Sequence, residues 1–156
     1  MIFRVQGSRG MRGRQNGVGL IEVLVAVLVL SIGFLGMAAL ETKALSTNNS
    51  AMARSMATID SYSILDAMRA DLVNAKNGAY NGSIAADACP DGSGSLAAAQ
   101  LQEWCTQLAQ TLGAAATTTG AIDCGTSGTC TITIQFDDSR AGSELGTQQF
   151  VTQAVL

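Results

Sequence analysis

The rhythm of hydrophobic and polar positions changes twice along the chain. From Val23 to Leu40 there are 18 residues without a charge. At about 1.5 Å per residue, such a helix nearly spans a bilayer core of roughly 30 Å, and Val18 to Glu22 complete the span. Beyond Leu40 the pattern stays helical but turns amphipathic. Met52, Met56 and Ile59 recur at steps of four and three, followed by Leu65, Met68, Leu72 and Ala75, with Arg54, Asp60, Asp66 and Arg69 between them. This predicts one helix from about Val18 to Lys76, close to 90 Å long at the usual rise. Its second half is expected to pack one face on a globular head, with the methionine stripe as core. Two weak points stand in it: the poor helix formers Ser46 to Ser50, where a bend or fray is expected, and the pair Gly33 and Gly36. Glycines three apart also permit close helix approach.

The remainder reads as a small mixed head. Asn77 to Ser95 has loop composition, with glycine, asparagine, serine and a Pro90-Asp91-Gly92 turn. Ser95 is placed to cap a second helix from about Leu96 to Leu112, with Leu101, Trp104, Leu108 and Leu112 on one face. Trp104, the one tryptophan, is expected to anchor the core. Thr117 to Gly120 reads as a linker. Ala121 to Cys124 and Thr129 to Phe136 predict a hairpin around Gly125 to Gly128, with Ile132, Ile134 and Phe136 inward. Asp137 to Gly146 reads as a polar return loop and Gln149 to Leu156 as a last strand.

Charge is divided sharply. Arg4, Arg9, Arg12 and Arg14 precede the apolar run, and no acid lies before Glu22. With four of the nine basic residues before Gly17, five remain against twelve acids in the rest. An acidic remainder argues against nucleic-acid binding. Basic residues ahead of the apolar run place the start in the cytoplasm and the rest outside. Histidine is absent, no nucleophile–base pair is visible, and no glycine-rich phosphate loop follows a strand, so an enzyme is disfavoured and no cofactor is expected. Asn81-Gly82-Ser83 matches a glycosylation sequon and is read as chance. The acidic clusters are Asp137-Asp138 and Asp87/Asp91; Asp137-Asp138 could hold calcium but lacks the alternating oxygen pattern of a calcium loop, and is read as a solvated turn.

Cys89, Cys105, Cys124 and Cys130 all follow the apolar run, on the oxidising side. A small head gains from staples. The local pairing, Cys89–Cys105 and Cys124–Cys130, is favoured, while the crossed one, Cys89–Cys124 with Cys105–Cys130, stays open. The five residues between Cys124 and Cys130 exceed zinc-knuckle spacing, so no metal is expected.

Glu22 is the anomaly. An isolated charge in a spanning helix costs about 3 kcal/mol on insertion scales and commonly has a partner or a role. A headgroup position is the plain alternative. A secretory signal cleaved near Gly36-Met37-Ala38, or a permanent signal anchor, explains the apolar run but not the glutamate. The surrounding residues, Gly17-Val18-Gly19-Leu20-Ile21-Glu22-Val23-Leu24-Val25, resemble the type III signal of type IV prepilins and pseudopilins. The resemblance covers residues 12 to 40. It implies cleavage after Gly17, N-methylation of Val18, and Glu22 as the fifth mature residue. A start at Met11 leaves a shorter leader that is still basic and ends in the same glycine.

The same resemblance implies an α+β pilin-like fold. Residues 1–17 are a cleaved leader, 18–45 a transmembrane and filament-core helix, and 46–156 an extracytoplasmic head with three or four antiparallel strands. The chain lacks a proline about 20 residues into the mature helix, where major pilins commonly carry one, which favours a minor pilin or pseudopilin. Gly17 to Ala26, Ser31 to Met37 and Glu103-Trp104 look similar to the PilV-like group of minor pilins. The implied partners are other minor pilins and the major pilin through the helix, the prepilin peptidase/N-methyltransferase, the inner membrane before assembly, and a tip adhesin. The implied location is the inner membrane, then the pilus at the cell surface. The alternatives are a type II secretion minor pseudopilin and, from another class, a membrane-anchored binding or sensor module.

Overall fold

The computed structural model describes residues 17, 19–139 and 146–156. Two helices, a strand, a helix and three strands follow in order: α1 (Leu20–Ala70), α2 (Leu72–Lys76), β1 (Gly82–Ala85), α3 (Leu96–Thr111), β2 (Thr119–Cys124), β3 (Thr129–Asp137) and β4 (Thr147–Val155). This is an α+β architecture, a long N-terminal helix with a small antiparallel sheet. The chain divides at Leu40/Glu41 into two compact units.

In the first unit, residues 20–40 of α1 are helical and exposed throughout. The helix is long and apolar enough to cross a membrane. It runs unbroken through Gly33 and Gly36, and Ser31 Oγ donates back to Val27 O at 2.7 Å.

In the second unit, the rest of α1 and all of α3 pack against one face of a four-stranded sheet ordered β1-β2-β3-β4, with every pairing antiparallel. The core joins Ala57, Ile64, Leu65 and Met68 of α1, Trp104 and Leu108 of α3, and Ile122, Ile132, Ile134 and Phe136 of the sheet. Strand β3 alternates strictly, so Cys130, Ile132, Ile134 and Phe136 face the helices while Thr129, Thr131, Thr133 and Gln135 lie on the other face. Among the described residues, nothing pairs with the outer side of β4, which holds no charge and no proline.

Several expectations change. The helix does not run to Lys76: it stops at Ala70, and a short α2 restarts at Leu72. Asp71 leaves helical geometry, and its carboxylate accepts from Asn74 Nδ2 at 2.8 Å and lies 3.1 Å from the Tyr80 hydroxyl. Ser46 to Ser50 stay helical. There Thr47 Oγ1 bonds back to Lys43 O, and Ser50 Oγ finds a distant acceptor in Asp138. The Asn77 to Ser95 loop hides β1, whose register Gly82↔Ile122 to Ala85↔Thr119 makes it one edge of the sheet. The expected linker is partly strand, since Thr119 and Gly120 begin β2.

The methionine stripe is core only in its second part: Leu65, Met68 and Ala75 are buried, while its first part is not. Met52 is 59% exposed and Ile59 is 55% exposed. The buried face of α1 lies about 100° round the helix, on Ala57, Ser61, Ile64 and Met68.

Gly120 explains how closely α3 approaches the sheet. A Cβ placed there would lie 2.4 Å from Trp104 Cη2 and 2.9 Å from Leu108 Cδ1. A glycine in β2 therefore lets the six-membered ring of the indole come close to the strand backbone.

Candidate functional site

The first candidate site is the start of α1. Gly17 and Gly19 are non-helical, and the helix begins at Leu20. Gly19 O accepts from Glu22 N at 3.0 Å and from Val23 N at 3.3 Å, closing the first turn. Glu22 is therefore in that first turn, with its exposed carboxylate at the positive end of the helix dipole. Val18 lies outside the described residues. Leu20, Ile21, Val23, Leu24 and Val25 surround Glu22, all at least half exposed, so the carboxylate stands on an apolar helix surface.

This arrangement coincides with a known signal. Residues 12–38 match the family described as the prokaryotic N-terminal methylation motif. The chain carries a prepilin-type signal. No curated protein and no solved structure matches the chain. The signal indicates a type IV pilin- or pseudopilin-like precursor, processed by a prepilin peptidase and assembled into pilus-like filaments, which is a structural role. With the apolar helix it fits anchoring in the inner membrane before assembly.

The second unit holds two disulfides. Cys89–Cys105 ties the loop before α3 to that helix, with Cα atoms 5.6 Å apart. Cys124–Cys130 closes the β2–β3 hairpin across directly paired residues. Asn81 braces the same corner, its Oδ1 accepting from Cys124 N at 2.8 Å and its Nδ2 donating to Cys124 O at 3.1 Å. The sequon asparagine thus has a structural task. Among the described residues no cluster of three potential ligands could hold a metal.

Asp60, assigned by the helical pattern to the polar face, is fully buried. Gln107 Nε2 donates to its Oδ1 at 2.7 Å, Thr111 Oγ1 donates to its Oδ2 at 2.6 Å, and Trp104 Nε1 donates to its backbone oxygen at 3.0 Å. One residue of α1 therefore holds three residues of α3. Burial raises the Asp60 pKa, against the lowering effect of its two side-chain donors.

The acidic pairs separate likewise. Asp138 is not in a solvated turn: it is only 4% exposed, and Ser50 Oγ donates to its Oδ2. Asp137 is exposed and accepts from Ser139 N. Asp91 is exposed and held below the usual carboxylate range by donation from Ser93 N and Oγ, an Asx turn. Tyr80 is buried beside Asp71 and the Gln100 amide, and desolvation followed by the Asp71 carboxylate pushes its pKa up to about 12.

Asp60 was missed because helical periodicity scores a carboxylate as outward, and Asp138 because a polar return loop is read as solvated. The available signal was the cluster of amide and hydroxyl donors at Gln107 and Thr111, which share a face of α3 with Leu108.

Proposed function

We propose that the chain is a minor pilin: a prepilin cut after Gly17, N-methylated on Val18, and inserted into a type IV pilus, where it takes part in assembly and priming near the tip. The observation that carries this is the match to the methylation motif over residues 12–38, with Glu22 in the first turn of an apolar helix directly beyond Gly17. Cleavage frees an ammonium at Val18, and an incoming subunit presents this amine to Glu22 of its neighbour. In a dry filament core the pair satisfies both charges, while a subunit out of register leaves both unpaired. The missing proline in the early helix favours a minor over a major subunit, and a type II secretion minor pseudopilin is the second reading on the same grounds. The head lies in the periplasm before assembly and on the pilus afterwards, among other minor pilins, the major pilin and a tip adhesin.

The test is the mature N-terminus, read by mass spectrometry on protein from cells that make the peptidase. A chain beginning at N-methyl-Val18 supports the proposal. A start near Ala39 means ordinary secretion, and an intact leader means a permanent anchor; either overturns it.

A further inference from the structure

The apolar stripe that the core leaves out has a regular form. Leu45, Asn49, Met52, Met56 and Ile59 follow one another at steps of four, three, four and three. This is the spacing of a helix-pairing seam, and it lies on one face of α1. Leu45 is 61% exposed, in line with Met52 and Ile59. Beyond Ile59 the seam positions are the polar Ser63 and Asp66, both exposed, and α3 reaches this side of α1 through Ser63 Oγ to Gln107 and Thr111 to Asp60. After Thr111 the chain turns away. It leaves a groove of about 480 Å³ with Asn49, Met52 and Met56 on one wall and Leu112, Ala114 and Ala115 on the other. Among the described residues, a helix-packing position along α1 is therefore vacant within the head.

We infer that the Leu45–Ile59 seam pairs with the same seam of a second copy of this chain, the two helices parallel and in register. Three observations select this occupant. The 4–3 spacing suits a helix rather than a strand or a sugar. Neither the seam nor its flank at Asn48 and Ser55 bears a charge, so the two helices meet without repulsion along these positions, although the exposed Asp137 of β3 also lines the groove. Asn49 stands inside an otherwise apolar seam, where an amide is satisfied by an identical amide at the same height and left unpaired by an apolar partner. Anchoring of both chains in one membrane supplies the parallel direction and equal depth. In the sequence the same register continues backward through Leu35, Ala38 and Thr42 without meeting a charge. Methionines suit such a contact, since their flexible thioethers fill the partner's groove. The inference rests on the membrane anchoring in the proposed function but not on filament assembly.

The experiment places the photocrosslinker benzoylphenylalanine at position 52 or 56, and at the off-seam positions 54 and 58, in the full chain within inner-membrane vesicles. The expected result is a band at twice the monomer mass, at least about tenfold stronger from 52 and 56 than from 54 and 58. Peptide mapping should place the crosslink in residues 45–59 of the second copy. Met52→Glu, read with the probe at 56, should lower the yield by a similar factor. No dimer, equal yield from all four positions, crosslinks to lipid alone, crosslinks to residues 23–40 of the second copy, or full dimer yield in Met52→Glu would each overturn the inference. The mass of the mature N-terminus from the same vesicles reports separately on processing, so failure of the seam and failure of the pilin reading are distinguishable.

Discussion

Replacing Gly120 by alanine tests how the head holds its one tryptophan. The added Cβ would meet Trp104 Cη2 at 2.4 Å, Cζ3 at 2.7 Å and Leu108 Cδ1 at 2.9 Å. Carbon atoms are comfortable at about 3.5–4.0 Å, so the ring must retreat by about 1 Å. It has little room: Trp104 is buried in the core and its Nε1 is tied to Asp60 O at 3.0 Å. Overpacking of this kind costs about 1–3 kcal/mol, and loss of the indole hydrogen bond adds about 1 kcal/mol. The expected total is about 2–4 kcal/mol. At about 4 °C per kcal/mol for a domain of this size, the melting temperature falls by about 8–16 °C. The assay is thermal unfolding of the detergent-solubilised chain followed by tryptophan fluorescence, which reads the displaced ring directly. Gly33→Ala is the control, because a Cβ there meets nothing within 4 Å. Combining Gly120→Ala with Trp104→Leu should cost less than the sum of the two, since the smaller side chain makes room. A melting temperature for Gly120→Ala within about 2 °C of the parent, or strict additivity in the double variant, would refute the close-packing account.

Other consequences are equally open to measurement. Asp60 has a raised pKa in the fold, so folding favours its protonated form; its contribution is fully present below the ordinary carboxylate pKa of 3.8 and fades as pH rises through the folded value. The melting temperature of the parent should therefore decline over that window, and Asp60→Asn should remove this part of the slope. Non-reducing peptide mapping should recover Cys89 linked to Cys105 and Cys124 linked to Cys130, and replacing Cys89 and Cys105 together by serine should cost about 3 kcal/mol in denaturant unfolding. Glu22→Ala should leave the head's melting temperature unchanged but reduce incorporation into sheared filaments, as judged by immunoblot; normal incorporation would remove the register role.

Elements governed by local chemistry were legible in the sequence. Ser95 accepts from Ala98 N as an N-cap should, and Ile132, Ile134 and Phe136 turn inward as their alternation requires. The apolar run and its out-of-place glutamate led to the signal that the motif match covers. What was not legible depended on distant partners. β1 is four residues long and takes its identity from β2 rather than from any pattern of its own. Asp60 is buried because α3, more than forty residues away in sequence, supplies its donors. Met52 and Ile59 look like core residues to any helical wheel, yet the buried positions of this stretch include the small Ala57 and Ser61. Periodicity finds apolar faces; it does not say which of two faces the rest of the molecule will choose.

The open side of β4 bears on handling of the isolated head. Among the described residues, no strand pairs with the outward-facing amides and carbonyls that alternate along Thr147–Val155, and the strand carries no lysine or proline to guard them. Concentrated preparations freed from the membrane would offer that edge to one another as a template for stacking. A single lysine in place of the exposed Gln153 should then improve shelf life while leaving the interior packing untouched.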